Sequence, residues 1–417
     1  MYHGWKVVAC AFLIAVFGWG FGFYGIGVFL AELVERRGWA TSVVASAVTV
    51  LYLVGAVLIA FIGNAFARFG PRRVVLVGMS AMGAAAIGLT WVTEPWQLYI
   101  VFPLMAVGWA AMSGAALNVI VAPWFERRRG LAISIAFNGA AVGGVLLVPA
   151  LVFLVGRIGF ELAVLSLVTV MVVVLTPLVL WLLVRGPEAL GLGPDGDAPA
   201  PRASETAAGG GAPPTRDFMR TWHFWSVALP FALGLTAQIS IIIHQMSFLK
   251  PALGTEGAAW AVSLTSVCAV LGRLGVGLFV DRVNRRAVTA GNFLLQATSV
   301  VLMLSGPRPM LLYVACVMFG LGVGNTTSLP SVIVQAEFPK AAFGQVVSTI
   351  IAINQFTYSF GPGLLGWLRD GFGSYDAAFA GCLMLQLAAA AILLFGGARR
   401  GESALNYVAD TSRDHTS

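Results

Sequence analysis

Arg273 is a charged residue inside an otherwise apolar run, SVCAVLGRLGVGLFVDRV. Such a run is typical of a membrane-spanning helix, in which an arginine costs at least about 2.5–3.5 kcal/mol. At about 1.5 Å per residue, Arg273 lies roughly 12 Å from Asp281, near the end of the run. Because a guanidinium is always charged and can donate two parallel hydrogen bonds to a carboxylate, we predict an anion-binding role. The alternative is that its aliphatic stem carries the charge to the membrane surface.

No acidic residue lies at a depth comparable to that of Arg273 in the other apolar runs, since Glu32, Glu94, Glu161 and Glu337 are near the ends of theirs. A buried cation without a partner is costly, and an anion can compensate its charge. The ligand itself is therefore expected to supply the negative charge. The chain contains no H-E-x-x-H or G-x-S-x-G motif. We therefore predict that it is not an enzyme and has no metal and no cofactor.

Polar side chains in the other apolar runs are candidates for completing the ligand site. Amide and phenol groups at these depths can bind a substrate, or can form hydrogen bonds between helices worth about 0.6 kcal/mol on average. Both roles remain open for each of the candidates, which are Tyr24, Asn118, Asn138, Asn325, Asn354, Gln355 and Tyr358.

His244, in the run IIIHQMSF, is the only histidine well inside an apolar run. Imidazole titrates near neutral pH, so His244 is a candidate for a substrate contact or for proton coupling. The alternative is a packed histidine near the membrane surface.

The composition identifies the elements that position these residues. Of 417 residues, 59% are hydrophobic and 10% are charged, with a mean hydropathy of +0.87, whereas soluble domains contain about 25% charged residues. We predict an all-α, multi-pass membrane protein with 12 transmembrane helices. The predicted spans are Lys6–Leu30, Ser42–Phe66, Val74–Val92, Leu98–Val121, Gly130–Val155, Leu162–Val184, Trp222–Leu249, Ala258–Val280, Ala287–Leu304, Met310–Val334, Gly344–Leu368 and Tyr375–Phe395.

The positive charges predict the orientation of these spans. Most Lys and Arg residues fall on one side, as in the loops of Arg72, Arg128 and Arg286. The positive-inside rule then places both termini in the cytoplasm and the protein in the inner (plasma) membrane. The net charge of +7 therefore reflects topology, and no nucleic-acid partner is expected. The four cysteines all lie in predicted spans and are expected to be packing residues.

The predicted spans form two related halves, joined by a Gly- and Pro-rich segment. Segment 186–220 is expected to be a flexible cytoplasmic linker between a half at 1–185 and a half at 221–398, followed by a tail at 399–417. Two junctions recur: GNAFARFGPRR matches GLFVDRVNRR, and VIVAPWF matches VIVQAEF. Such pseudo-symmetric six-helix halves favour a binding site between two rocking units.

The loop pattern G-x-x-x-D-R-x-x-R-R with this topology resembles the major facilitator superfamily. HGWKVVACAF and PWFERRRGLAISIAFNGAAVGG further resemble its monocarboxylate transporter branch, including bacterial oxalate–formate exchangers. The chain departs from the pattern at Ala67, where the superfamily usually has an acid, and at Ala269, where animal members tend to carry an Asp. Tyr2 and His3 replace the acidic start of the eukaryotic branch motif.

The resemblance implies that Arg273 corresponds to the arginine with which the branch binds its anionic substrate. Relatives that exchange dicarboxylates carry a Lys at the position of Asn354, so a single cation implies a monocarboxylate such as lactate or pyruvate. The expected function is secondary transport by alternating access, with proton symport as the expected coupling. Efflux of a drug or metabolite and exchange of organic anions are the alternatives, and a monomer is expected.

Two further groups are expected to control the conformation. The Gly361-Pro362-Gly363 sequence is predicted to break its helix and act as a gate hinge. Charged residues at the repeated loops are expected to latch the two halves together, with solvated topology markers as the alternative; they are Arg68, Arg72, Asp281, Arg282 and Arg286.

Overall fold

The computed structural model of the chain describes residues 2–184, 186–197, 218–339 and 342–396, without the side chain of Asp281. The predicted tail at 399–417 and most of the predicted linker, residues 198–217, lie outside these ranges. The first half contains the helices α1 (His3–Trp19), α2 (Gly25–Arg37), α3 (Thr41–Phe69), α4 (Pro71–Trp91), α5 (Leu98–Met112), α6 (Gly114–Val121), α7 (Arg129–Ile158) and α8 (Phe160–Leu182).

The second half is also helical. Its helices are α9 (Trp222–Phe279), α10 (Arg285–Leu304), α11 (Pro309–Val323), α12 (Leu329–Glu337), α13 (Phe343–Ser359), α14 (Gly361–Phe372) and α15 (Asp376–Phe395). Among the described residues, nine helices are long and apolar enough to cross a membrane. The prediction of an all-helical, multi-pass membrane protein is therefore confirmed.

Several predicted spans are interrupted in the structure. The backbone at Ser113 is extended and separates α5 from α6, and Phe360 separates α13 from α14. Conversely, α9 runs for 58 residues through two predicted spans. Inside it, Gly254 has φ 71° and ψ 174°, a left-handed conformation that favours glycine, so the helix axis breaks there.

Each half packs mainly on itself. In the first half α1 lies along α7 and α4 lies along α5, while in the second half α9 contacts α11 and α15. The two halves meet where α3 contacts α13 and α14, and where α2 and α7 contact α9. This interface is the place at which one helical unit can move against the other.

The predicted linker begins with a stretch that folds against the first half. Tyr2 donates a hydrogen bond to the carbonyl oxygen of Gly193 at 3.1 Å. The Asp195 carboxylate accepts from the backbone N–H of Arg127 at 2.8 Å and of Glu126 at 3.0 Å. These bonds fix residues 193–197 beside the junction between α6 and α7.

Candidate functional site

Two helices approach each other closely beside Arg273. A Cβ atom on Gly272 of α9 would overlap the carbonyl oxygen of Leu321, and one on Gly324 would overlap the carbonyl oxygen of Ala269. Glycine is therefore required on both sides of this contact. The close approach brings the backbone that follows α11 within reach of the arginine side chain.

Arg273 uses only part of its hydrogen-bonding capacity within the protein. Its Nε donates to the carbonyl oxygen of Gly324 at 2.9 Å, and one terminal nitrogen donates to the hydroxyl of Thr327 at 3.4 Å. Among the described residues no carboxylate forms an ion pair with it. Since a guanidinium carries five N–H groups, it retains donors and a charge that an anion can satisfy.

Tyr24 lies close to this arginine from the other half of the molecule. It interacts electrostatically with Arg273 and packs with Ser266 against Gly144. Tyr24 ends a π-helical turn, Gly20–Tyr24, which joins α1 to α2. Such turns are rare and frequently occur at functional sites. Here the turn places a phenol beside the charge.

The polar residues of α13 carry unpaired atoms. The Tyr358 hydroxyl donates to Oε1 of Gln355, which leaves the Gln355 Nε2 group without a partner among the described residues. Asn354 is 3% exposed, and its Oδ1 atom is also unpaired within the described part of the chain. Tyr358 also contacts the ring of Tyr52 on α3, which places the Tyr358–Gln355 pair next to the first half.

An aromatic cluster connects these two regions. It consists of Phe23, Tyr24, Tyr52, Trp109 and Tyr358, contributed by the π turn and by α3, α5 and α13. The ring centroids of Phe23 and Tyr24 are 5.1 Å apart, those of Phe23 and Trp109 6.1 Å, those of Trp109 and Tyr52 6.4 Å, and those of Tyr52 and Tyr358 6.0 Å. The rings thus form a continuous path from the neighbourhood of Arg273 to α13.

The remaining predicted asparagines lie in other surroundings. Asn325 is buried and donates to Oδ1 of Asn292 at 3.0 Å and to the carbonyl oxygen of Leu321 at 2.9 Å. Asn118 is exposed and donates to Gly114 within its own helix. Asn138 is half-buried on α7. Substrate binding by these three residues stays a prediction.

His244 is fully buried between helices of the second half. Its Nε2 lies 3.0 Å from the carbonyl oxygen of Pro362, and its Nδ1 lies 3.2 Å from the hydroxyl of Tyr375. A carbonyl oxygen only accepts, so Nε2 carries the proton and Nδ1 can accept from the phenol. Both ring nitrogens are therefore engaged in helix packing, and neither described contact involves Arg273.

We call the face with residues 68–73 and 280–286 the basic end. The Arg286 guanidinium forms a bidentate pair with Glu337 at 2.8 and 2.9 Å and also donates to Ser226. Arg72 donates to the carbonyl oxygen of Leu183 at 2.7 Å. Both contacts hold within one half; Arg68 and Arg282 are exposed, and the Asp281 side chain lies outside the described atoms. The latch between the halves therefore stays a prediction.

At the opposite face, which we call the far end, hydrogen bonds join the two halves. Lys250 pairs with Glu35. The Asp370 carboxylate accepts from the backbone N–H of Ser42, and the Thr49 hydroxyl accepts from the N–H of Gly363 at 3.1 Å. The donor of this last bond, Gly363, belongs to the segment that is predicted to be a hinge. These contacts join the two halves at the far end.

Sequence reasoning does not single out Tyr52, Trp109 or Thr327. A tyrosine and a tryptophan deep in apolar runs carry polar atoms that need partners, and this is the signal that identifies them. The contact of Thr327 depends on the close approach of α9 and the chain after α11, which no local pattern reports.

Comparisons with known proteins agree with the fold. The sequence model of the Major Facilitator Superfamily matches residues 11–257 and 245–411. The human protein monocarboxylate transporter 11 is 27% identical over 402 residues, covering 92% of this chain and 81% of the relative. Monocarboxylate transporter 13 of Bos taurus is 23% identical over 400 residues, covering 94% and 88%.

Solved structures also share the architecture. The nucleoside transporter NupG superposes with a TM-score of 0.73 at 14% identity, over 95% of this chain and 99% of that one. A bacterial homologue of the human lysosomal transporter Spinster, inward-facing and unoccupied, gives a TM-score of 0.67 at 16% identity, over 95% and 96%. At these identities the likeness concerns the fold alone.

Proposed function

Because the chain belongs to the Major Facilitator Superfamily, we propose that it transports a small organic monocarboxylate across the membrane by alternating access. Its relatives indicate a membrane transporter of the monocarboxylate-transporter type. The observation that carries the proposal is Arg273, which is half-buried in the second half beside Tyr24 of the first half and has no carboxylate partner among the described residues. A carboxylate bound there restores the missing charge and uses the remaining N–H donors.

The proposal includes a topology of 12 spans with both termini in the cytoplasm. Two spans arise from α9, because the break at Gly254 divides it into residues 222–253 and 255–279, and each part exceeds the roughly 20 residues that a transmembrane helix needs. The interrupted pairs α5/α6, α11/α12 and α13/α14 each form one span. The basic end is then cytoplasmic, in agreement with the positive-inside rule.

We further propose that, in this topology, the contacts between the halves at the far end belong to a state that is closed on the outside. The inter-half bonds of Lys250, Asp370 and Thr49 lie at the far end, whereas the described contacts of Arg72 and Arg286 at the basic end stay within one half. Substrate bound at Arg273 would therefore exchange with the cytoplasm in this state.

Uptake into proteoliposomes tests the proposal. We expect saturable uptake of labelled lactate or pyruvate, competed by other monocarboxylates. Arg273→Gln should reduce uptake at least about tenfold, since hydrogen bonds to charged groups contribute about 1.5–3 kcal/mol. Arg273→Lys should retain part of it, because the charge remains but the planar fork is lost. Arg308→Gln, at an exposed loop, is the matched control.

Uptake unaffected by Arg273→Gln would remove the arginine from the binding site. Transport of uncharged compounds without competition by small acids would favour the efflux alternative, and strict dependence on a carboxylate inside the vesicle would favour anion exchange.

Proton coupling through His244 is tested separately. His244→Gln removes the titratable ring while keeping an N–H donor for the carbonyl of Pro362. If His244 is the coupling site, this variant loses the stimulation of uptake by an inward proton gradient. Stimulation that persists would assign coupling to another group, and a wild-type protein without stimulation would indicate exchange.

A further inference from the structure

Two aromatic residues of the interface carry buried donors without acceptors. Tyr52 is fully buried and Trp109 is 5% exposed, yet neither the Tyr52 hydroxyl nor the Trp109 Nε1 atom has a hydrogen-bond partner among the described residues. Buried polar groups in native proteins are nearly always paired, because an unpaired group gives up its hydration without compensation. Two such groups on neighbouring rings therefore need an explanation.

The same residue types find partners elsewhere in the described structure. The Tyr313 hydroxyl donates to the carbonyl oxygen of Gly257 at 3.2 Å, and the Trp91 Nε1 donates to Glu161 at 2.8 Å. The indole of Trp225 likewise donates to a backbone carbonyl at 2.7 Å. The unpaired state of Tyr52 and Trp109 is thus a property of their location.

A third unpaired donor belongs to the same cluster and comes from the other half. Gln355 accepts from Tyr358 through Oε1, so its Nε2 group is the part that remains unpaired among the described atoms. Tyr358 in turn contacts the ring of Tyr52. Indole N–H and amide N–H groups only donate, and the phenol hydrogen is free to donate. The group complementary to this set is an acceptor oxygen.

The walls around these donors are aromatic. Phe23 stacks on Trp109 with an interplanar angle of 14°, and Tyr24, beside Arg273, contacts Phe23 edge to face. Planar rings favour offset-stacked or edge-to-face neighbours, so a ring of the substrate fits such walls. Arg273 lies at one end of this aromatic path, and the donors follow from Trp109 in its middle to Gln355 at its other end.

We propose that the cluster of Tyr52, Trp109 and Gln355 binds the end of the substrate remote from its carboxylate. The transported anion is then an aryl or arylalkyl monocarboxylate that carries an acceptor oxygen on its ring. This inference rests on the proposed function, because it takes Arg273 as the site of the carboxylate.

Binding to the purified full-length protein in lipid nanodiscs, measured by calorimetry, tests the inference. The probes are benzoate, phenylacetate and 3-phenylpropionate, each compared with its 4-methoxy derivative, whose ether oxygen only accepts; lactate is the aliphatic reference. For the acid of matching length, the methoxy form should bind about tenfold more tightly, as expected for one buried hydrogen bond.

The variants Tyr52→Phe and Trp109→Phe each remove one donor and keep a ring. In both, the ratio between the dissociation constants of the parent acid and its methoxy form should fall towards one. Tyr313→Phe and Trp91→Phe remove the same groups where they are already paired, and should leave the ratio at its wild-type value.

The outcomes separate the two proposals. Equal binding of parent and methoxy acids at every length, or a ratio that Tyr52→Phe and Trp109→Phe leave unchanged, overturns the aromatic subsite. Binding of lactate that depends on Arg273, without binding of any aryl acid, overturns the subsite and keeps the proposed function. Absence of binding for every carboxylate overturns the proposed function itself.

Discussion

Single residues set different contact strengths at the two repeated loops of the basic end. Arg72 and Arg286 occupy equivalent positions, but Arg286 pairs with the buried Glu337, whereas the equivalent of Glu337 in the first half is Trp124. Among the described residues, Arg72 has one hydrogen bond, to a carbonyl oxygen. The side chains of Arg286 and Glu337 are 8% and 6% exposed, so this pair is shielded from water.

Removing the charge of Arg286 should therefore be far more costly than removing that of Arg72. Arg286→Gln removes two charged hydrogen bonds, at 2.8 and 2.9 Å, from a Glu337 carboxylate that is shielded from water. We expect a loss of about 3–5 kcal/mol in stability, against about 1 kcal/mol or less for Arg72→Gln. Thermal unfolding of the two purified variants measures the difference, and equal melting temperatures would contradict it.

Two glycines one turn apart on α9 give a second matched pair. A Cβ on Gly272 would overlap the backbone of Leu321, whereas no atom lies within 4 Å of a Cβ built on Gly275. Gly272→Ala should push α9 away from the chain that carries Gly324, and so lower both the melting temperature and uptake. Gly275→Ala should be neutral, or stabilising by up to about 1 kcal/mol, since alanine is the better helix former. Unfolding and uptake assays on both variants decide the point.

At the scale of elements, the carboxylate of Asp195 holds the start of the linker in place. Hydrogen bonds from the backbone N–H groups of Arg127 and Glu126 lower the pKa of Asp195. A carboxylate whose pKa is lowered in the folded state stabilises that state at pH values above its usual pKa. The stabilisation is lost as the pH falls through the lowered pKa. The attachment of residues 193–197 is therefore expected to persist at neutral pH and to weaken only in strong acid, below about pH 4.

Asp195→Ala should release this attachment, and Asp197→Ala should not. Asp197 pairs only with the exposed side chain of Arg127 among the described side chains, and such pairs contribute little. Hydrogen exchange of the Glu126 and Arg127 amides is the measurement: we expect about tenfold faster exchange in Asp195→Ala and little change in Asp197→Ala. Unchanged protection in Asp195→Ala would show that other contacts hold the segment.

At the scale of the whole molecule, the two halves are joined at the far end by contacts that can be reversed. Lys250 pairs with Glu35 across the two halves, and the Glu35 side chain is 60% exposed. Exposed pairs contribute up to about 1 kcal/mol, which is enough to change a two-state population severalfold. The pair can therefore tune the balance between states without locking one of them.

Charge reversal tests this role of the pair. Glu35→Lys and Lys250→Glu each place like charges across the interface and should change the uptake rate by about two- to fivefold, most strongly at low salt. The double reversal restores opposite charges and should return the rate towards the wild-type value. A double variant that combines the two single defects would assign them to something other than this pair.

The sequence predicts those features that depend on local composition. Arg273 is identifiable because a single charge in an apolar run is costly, and the structure leaves it without an acidic partner among the described residues. The break at Ser113 is harder to place, because hydropathy does not depend on backbone angles. The sequence does not predict that the Tyr52 hydroxyl and the Trp109 Nε1 atom lack hydrogen-bond partners, because this depends on which rings distant helices bring together.

The π-helical turn Gly20–Tyr24 has a consequence for the length of its helix. Before the turn, Gly18 faces Met112 of the first half; after it, Gly27 faces the backbone of Ile243 in the second half. One residue corresponds to about 100° of helical rotation. Deleting a single residue within the turn would thus rotate Gly27 and Glu35 away from α9 together. This stretch should therefore not accept a change in the number of its residues.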